Sequence, residues 1–170
     1  MTGQDISELM SSADSPMVIV TTSAEGERAG CLVGFHAQSS ISPAQYCFCL
    51  SKANHTYRVS LRSTRFAIHF LTSDDFALAR HFGTRSGEEC DKFAGIEVES
   101  DERGVPLLTA LPNRMVVERI AMLDDGGDHV ATTARVLSVE NVGPFTALRA
   151  SAVADLRAGH ASDERVIHPD

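Results

Sequence analysis

The sequence predicts a mainly β protein, an antiparallel barrel with short helices at its edge. Three observations predict it. Apolar, β-branched segments of even length recur at hairpin spacing; no βα alternation repeats; and 170 residues suit one domain with a single substantial core.

The elements follow in chain order. "PMVIVTT", 16–22, is a β-branched strand, and the glycine-bearing stretch after it leads to a hairpin partner, "AGCLVGF", 29–35. "HAQSSI" reads as a polar strand and "QYCFCLS" as an apolar one, divided by the turn "ISP", where Pro43 restricts the residue before it. Cys47 and Cys49 share one face of that second strand, as small, buried, reduced core thiols would, and their spacing matches no CxxC zinc or redox motif. Asn54 is a good cap for a short helix through "HTYRVSLRS". "RFAIHFL", 65–71, is a strand covered on both sides.

"TSDDFALARHFG", 72–83, is the clearest helix. Thr72 or Ser73 caps it, Asp74 and Asp75 complement its dipole, Gly83 ends it, and Phe76, Leu78, Ala79 and Phe82 face inward. Residues 84–112 read as loop with short elements, and within them 85–104 carries seven acids against three bases, a solvated composition. Two longer strands, 114–123 and 129–141, flank the acidic turn "DDGGD". A polar tail closes the chain.

Composition narrows the function. A formal net charge of −8 argues against nucleic acid and against an anionic membrane surface as partners. No apolar run approaches the roughly 18 residues of a membrane span. The acidic start, without a basic n-region, is not a signal peptide, so a cytoplasmic location is expected. There is no GxGxxG and no GxxxxGK[ST]. No histidine pairs at helical spacing with another good ligand, so no metal site is expected.

Only two lysines, Lys52 and Lys92, stand among thirteen arginines. Lys52 lies in "SKANHT", where a strand end opens into a helix, with Ser51, Asn54 and Thr56 beside it and Ser39 and Ser40 at an earlier strand end. Hydroxyls, free N–H groups and a compact ammonium suit a phosphate. The plainer reading is a helix cap beside a solvated lysine. Lys92, in "CDKF", reads as a surface ion pair with Asp91 or Glu88, worth little. His129, after a tight turn, either bonds to that turn or stands at a cleft edge, placed for a ligand oxygen or a proton transfer.

Taken together, "VTT…AGCLVGFHAQSSISP…CLSKANHT…RFAIHFL…LARHFG…DKF…GDHV" resembles the flavin reductase-like, FMN-binding split-barrel family over about residues 16–149. The resemblance implies an antiparallel Greek-key split β-barrel over 16–149, with an N-terminal arm over 1–15 and a C-terminal tail over 150–170. It implies a homodimer holding FMN, or FAD, at the subunit interface. It also implies hydride transfer from NADH or NADPH to the flavin N5, with reduced flavin passed to a partner monooxygenase. Cys31, Leu32, Val33, Gly34 and Phe35 would border the isoalloxazine ring. Ser51, Lys52 and Thr56 would hold the ribityl-phosphate end, with Asn54, Ser39 and Ser40 nearby. Lys92 would reach the phosphate or ring edge, and His129 would lie near flavin or nicotinamide as the catalytic candidate. In this reading both lysines are flavin contacts.

The chain departs from the family pattern in three places. Leu32-Val33-Gly34-Phe35 replaces a hydroxyl-rich run, Ala44 stands where a second proline is usual, and Ala134 replaces a glycine. With no tryptophan, an aromatic wall would come from among Phe35, Tyr46, Phe82, Phe93 and Phe145. Two other functions fit the same residues: a flavin-binding electron carrier without nicotinamide turnover, or a barrel that binds another cofactor such as haem or a deazaflavin.

Overall fold

The computed structural model describes residues 3–159. Helix α1 (Gly3–Ala13) occupies the expected N-terminal arm and leaves Ile6, Leu9 and Met10 exposed. Then follow β1 (Val18–Ala24), β2 (Glu27–Val33), β3 (His36–Ser40), β4 (Gln45–Ser51), α2 (His55–Ser60), β5 (Arg65–Phe70) and α3 (Phe76–Thr84). A small ribbon, β6 (Val98–Ser100) and β7 (Pro106–Leu108), precedes the two long strands β8 (Arg114–Leu123) and β9 (His129–Glu140). A 3-10 turn, Ala150–Val153, ends the regular structure. Residues of the expected tail from 160 onward lie outside the described residues. No described helix is long and apolar enough to cross a membrane.

Seven strands form one antiparallel sheet in the order β2-β1-β5-β8-β9-β4-β3. Its two edges, β2 and β3, are consecutive in sequence. The chain therefore leaves one edge at Val33, turns through Gly34 and Phe35, and joins the opposite edge at His36. One backbone bond beside the corner, Cys49 N–H to Phe35 O at 2.9 Å, ties that corner to β4. This is the predicted antiparallel barrel, split beside the corner. The β1–β2 hairpin turns at Glu25 and Gly26, both with positive φ (53° and 81°), the geometry of a type I′ turn.

Alternation along the strands sorts side chains into two layers. Val18, Val20, Cys31, Val33, Phe48, Leu50, Phe66, Ile68 and Val117 fill the barrel. On the outside, Ile19, Leu71, Ala79, Phe82, Phe93, Leu108 and Leu111 pack α3 and the loops against the sheet. Each fully buried side chain of this size contributes about 1.5–3 kcal/mol. His69 pins the outer layer to the sheet. Its Nδ1 donates to Ile19 O (3.1 Å), and its Nε2 accepts from Leu108 N–H (3.0 Å), a pattern that only the neutral ring satisfies.

Five expectations change. Helix α3 begins at Phe76 because Asp75 turns back to accept from Thr72 N–H and Oγ1, and Gly83 lies inside the helix. Phe76 is 40% exposed, leaving Ala79 and Phe82 as the buried pair. Cys47 and Cys49 are half-buried on the outer face of β4, since Tyr46, Phe48 and Leu50 take the inward positions; the core cysteine is Cys31. The acids of 85–104 are extensively paired. Asp101 and Glu102 hold Arg65, Glu99 meets Arg114, Asp91 meets Arg28, and Glu88 meets Arg58. Lys92 is no surface lysine but is 4% exposed.

Candidate functional site

The barrel's corner opens a cleft of about 260 Å³. Its walls come from the end of β2 and the corner (Cys31, Leu32, Val33, Gly34, Phe35), the end of β4 (Cys49, Leu50, Ser51), the α2 cap Asn54, and the end of α3 (Phe82, Gly83, Arg85). Met17, His129 and Ala158 complete it. Local sequence explains the opening. Gly34 and Phe35 interrupt pairing where the chain changes edges, and Phe35 stays 59% exposed. Gly83 lets α3 approach β2, because a Cβ there would stand 2.8 Å from Leu32 Cδ2.

One wall is aromatic. The rings of Phe35 and His129 lie 4.9 Å apart, tilted by 57°. His129 Nδ1 is 2.7 Å from Asp128 Oδ1. An ionised carboxylate only accepts, so the proton sits on Nδ1 and Nε2 is left without that partner. Pairing of Ser51 with His129 across β4 and β9 brings the "SKANHT" and "GDHV" segments side by side.

The polar groups lining the cleft are mostly donors. Asn54 Oδ1 accepts from Thr56 N–H, which commits its oxygen and leaves its NH2 group. Ser51 Oγ accepts from Ala53 N–H, leaving its O–H to donate. Arg85 adds a guanidinium with no hydrogen bond or ion pair among the described residues. No carboxylate among the described residues lines the cleft. The nearby acids are occupied, Asp128 by His129 and Asp124 by Lys52.

Eight of the thirteen sequence-derived site residues meet here: Cys31, Leu32, Val33, Gly34, Phe35, Ser51, Asn54 and His129. The other five lie outside its walls. Ser39 and Ser40 line a separate shallow depression at the far end of β3. Lys52, 7% exposed, holds Asp124 at 2.8 Å, which lowers that carboxyl's pKa. Thr56 is buried under α2, within hydrogen-bond reach of the Cys31 thiol, whose pKa burial raises. Lys92 donates to Gly30 O (2.9 Å) and Phe82 O (3.0 Å), bridging β2 and α3; burial lowers its pKa. Sequence reasoning missed Arg85 and Met17. Arg85 was one base inside an acidic stretch and Met17 one apolar residue in a strand, so neither carried a signal.

A second cleft, beside Glu27, Arg28, His55, Asp91 and Lys92, is charged throughout, yet its groups satisfy one another. His55 and Arg62 both hold Glu27, and Arg28 holds Asp91.

The barrel is split at a strand-switching corner, and a donor-rich cleft with an aromatic wall opens there. The chain matches the flavin reductase like domain over residues 10–148 and belongs to that family. It is 26% identical over 125 residues to a ferric-chelate reductase (NAD(P)H) from Archaeoglobus fulgidus, covering 73% of this chain and 74% of that one. It is 32% identical over 114 residues to HsaB, the reductase subunit of a flavin-dependent monooxygenase from Mycobacterium tuberculosis. That match covers 65% of this chain and 59% of HsaB, less than two thirds of the latter's length. The fold is similar to that of the flavin reductase HpaC, solved with NADP+, at TM-score 0.75 and 21% identity, covering 87% of this chain and 92% of HpaC.

Proposed function

We propose that the chain is an NAD(P)H-dependent flavin oxidoreductase that takes FMN, or FAD, in the corner cleft. The observation that carries this is the make-up of that cleft: an aromatic and apolar wall beside a donor set with no carboxylate among the described residues, suited to a planar ring bearing a phosphate. A bound flavin supplies the hydride acceptor for a nicotinamide. The protein's residues bind, orient and shield. Leu32, Val33 and the Gly34 backbone would border the flavin ring, Phe35 and His129 would form a side wall, and Ser51 and Asn54 would donate to its polar end. His129 Nε2 is placed to bond to a ligand heteroatom, with Asp128 fixing the ring's tautomer. Holding two ring systems in a fixed stack is the main catalytic contribution such a site makes.

The working form is a homodimer. Register places Ala37, Cys47, Cys49, Ala131, Thr133 and Leu123 together on the outer face of β3, β4, β9 and β8, and no described element covers them. Apart from Leu123 its side chains are small, and it lies on the strands beside Phe35, so a second copy seated on it would also cover the cleft. Relatives named as monooxygenase reductase subunits support reduced flavin as the product and a monooxygenase as its consumer. The four free cysteines suit a reducing, cytoplasmic compartment.

The test is an anaerobic titration. Oxidised FMN mixed with the protein should shift its visible bands on binding and bleach with NADH or NADPH. Flavin that binds but bleaches only with dithionite would make the protein an electron carrier; a spectrum identical to that of free FMN would overturn flavin binding. Sedimentation should give twice the monomer mass, and Ala131→Glu should return it to one.

A further inference from the structure

We infer that Arg85 is the residue that recognises the flavin's phosphate, and that it makes the cleft selective for phosphorylated flavin over riboflavin. This deepens the function proposed above and rests on it. Family resemblance pointed to Lys52 and Lys92, and the structure shows both ammonium groups committed elsewhere. Lys52 is neutralised by Asp124 at 2.8 Å and does not line the cleft. Lys92 is spent on the carbonyls of Gly30 and Phe82 and holds β2 to α3. Redirecting Lys92 would leave two buried carbonyls without their donor, which is costly.

Among the described residues, Arg85 is the one lysine or arginine lining the cleft. It caps the C-terminus of α3 with extended backbone (φ −108°, ψ 146°), so its side chain leaves the helix where α3 meets β2. It is exposed and, among the described residues, has no carboxylate to release before binding. A guanidinium presents a planar fork of N–H donors that matches two phosphate oxygens at once. The Asn54 NH2 and the Ser51 O–H line the same cleft and would complete a donor set around a dianion. An uncharged ribityl hydroxyl gains little from an arginine, so the group separates FMN from riboflavin.

The experiment compares two ligands on wild type, Arg85→Ala and Arg85→Lys, by quenching of flavin fluorescence. Wild type is expected to bind FMN more tightly than riboflavin. Arg85→Ala should weaken FMN about tenfold or more while riboflavin stays within about twofold, since the lost contact is a charge-assisted one. Arg85→Lys should fall between. The FMN affinity of wild type should decline with added salt, and that of Arg85→Ala should decline less. The Arg85 side chain makes no hydrogen bond or ion pair among the described residues, so its variants should keep the wild-type melting temperature. An unchanged FMN-to-riboflavin ratio in Arg85→Ala, or one lost instead in a parallel Lys52→Met variant, would overturn the assignment. If wild type binds neither flavin, the flavin function itself falls, an outcome distinct from binding without phosphate selectivity.

Discussion

Phe35 leans its ring on the imidazole of His129, 4.9 Å centre to centre, although the two residues stand 94 positions apart in the chain. The contact spans the barrel's corner, joining the strand-switching segment to the start of β9. It gives the cleft its one aromatic side, and neither ring belongs to the core.

Because Phe35 is 59% exposed, replacing it tests the cleft without disturbing the barrel. Phe35→Ala should raise the FMN dissociation constant about tenfold, the scale of one aromatic contact. Its stability should stay within about 0.5 kcal/mol of wild type. Phe35→Tyr should bind as wild type does. Fluorescence titration and chemical denaturation read the two quantities separately.

Lys92 should behave as a structural residue. Lys92→Met leaves the Gly30 and Phe82 carbonyls without their donor and is expected to cost about 2–4 kcal/mol. A urea denaturation midpoint close to that of wild type would contradict the bridging role.

His69 should make the fold acid-sensitive. Burial lowers its pKa to about 4, below the ordinary value of 6.5. The unfolded chain therefore binds more protons than the folded one between those two pH values. Stability should rise with pH across that window and be lost as pH falls through it, by about 2 kcal/mol between pH 7 and pH 5. His36, also buried and with its pKa lowered, acts in the same direction. Urea midpoints at the two pH values should show the drop, and His69→Gln should shrink it.

Gly83→Ala separates helix propensity from cleft shape. In an exposed helix the change would stabilise by about 1 kcal/mol. Here the new methyl meets Leu32 Cδ2 at 2.8 Å and must push that side chain toward the cleft. The expected result is flavin affinity lowered several-fold with little gain in melting temperature. Unaltered affinity would show that Leu32 yields in another direction.

Strand positions were legible because period-two alternation survives wherever one face meets the barrel interior, as in Gln45–Ser51. Helix α3 was legible in kind but not in its start, because Asp75 bonds to Thr72 through a side chain rather than adding a helical turn. The cleft was half legible. Segment order singled out Cys31–Phe35, Ser51, Asn54 and His129, and these line one cleft. Lys52 and Lys92, expected as flavin contacts, lie outside its walls, because a motif gives the order of residues and not the way their side chains turn. Lys92 turns inward because two carbonyls at the β2–α3 junction need a donor. Arg85 was invisible because its distinction is the absence of a partner among the described residues, a property of three dimensions alone.

The corner at Gly34 and Phe35 also bears on the order of assembly. Its flanking strands pair with opposite ends of a seven-stranded sheet, so the cleft exists only after distant segments have met and the loop-closure entropy between them has been lost. Cofactor binding is then a late event in folding, and a ligand held across the seam resists reopening of the barrel. Bound flavin should therefore slow unfolding more than it speeds folding.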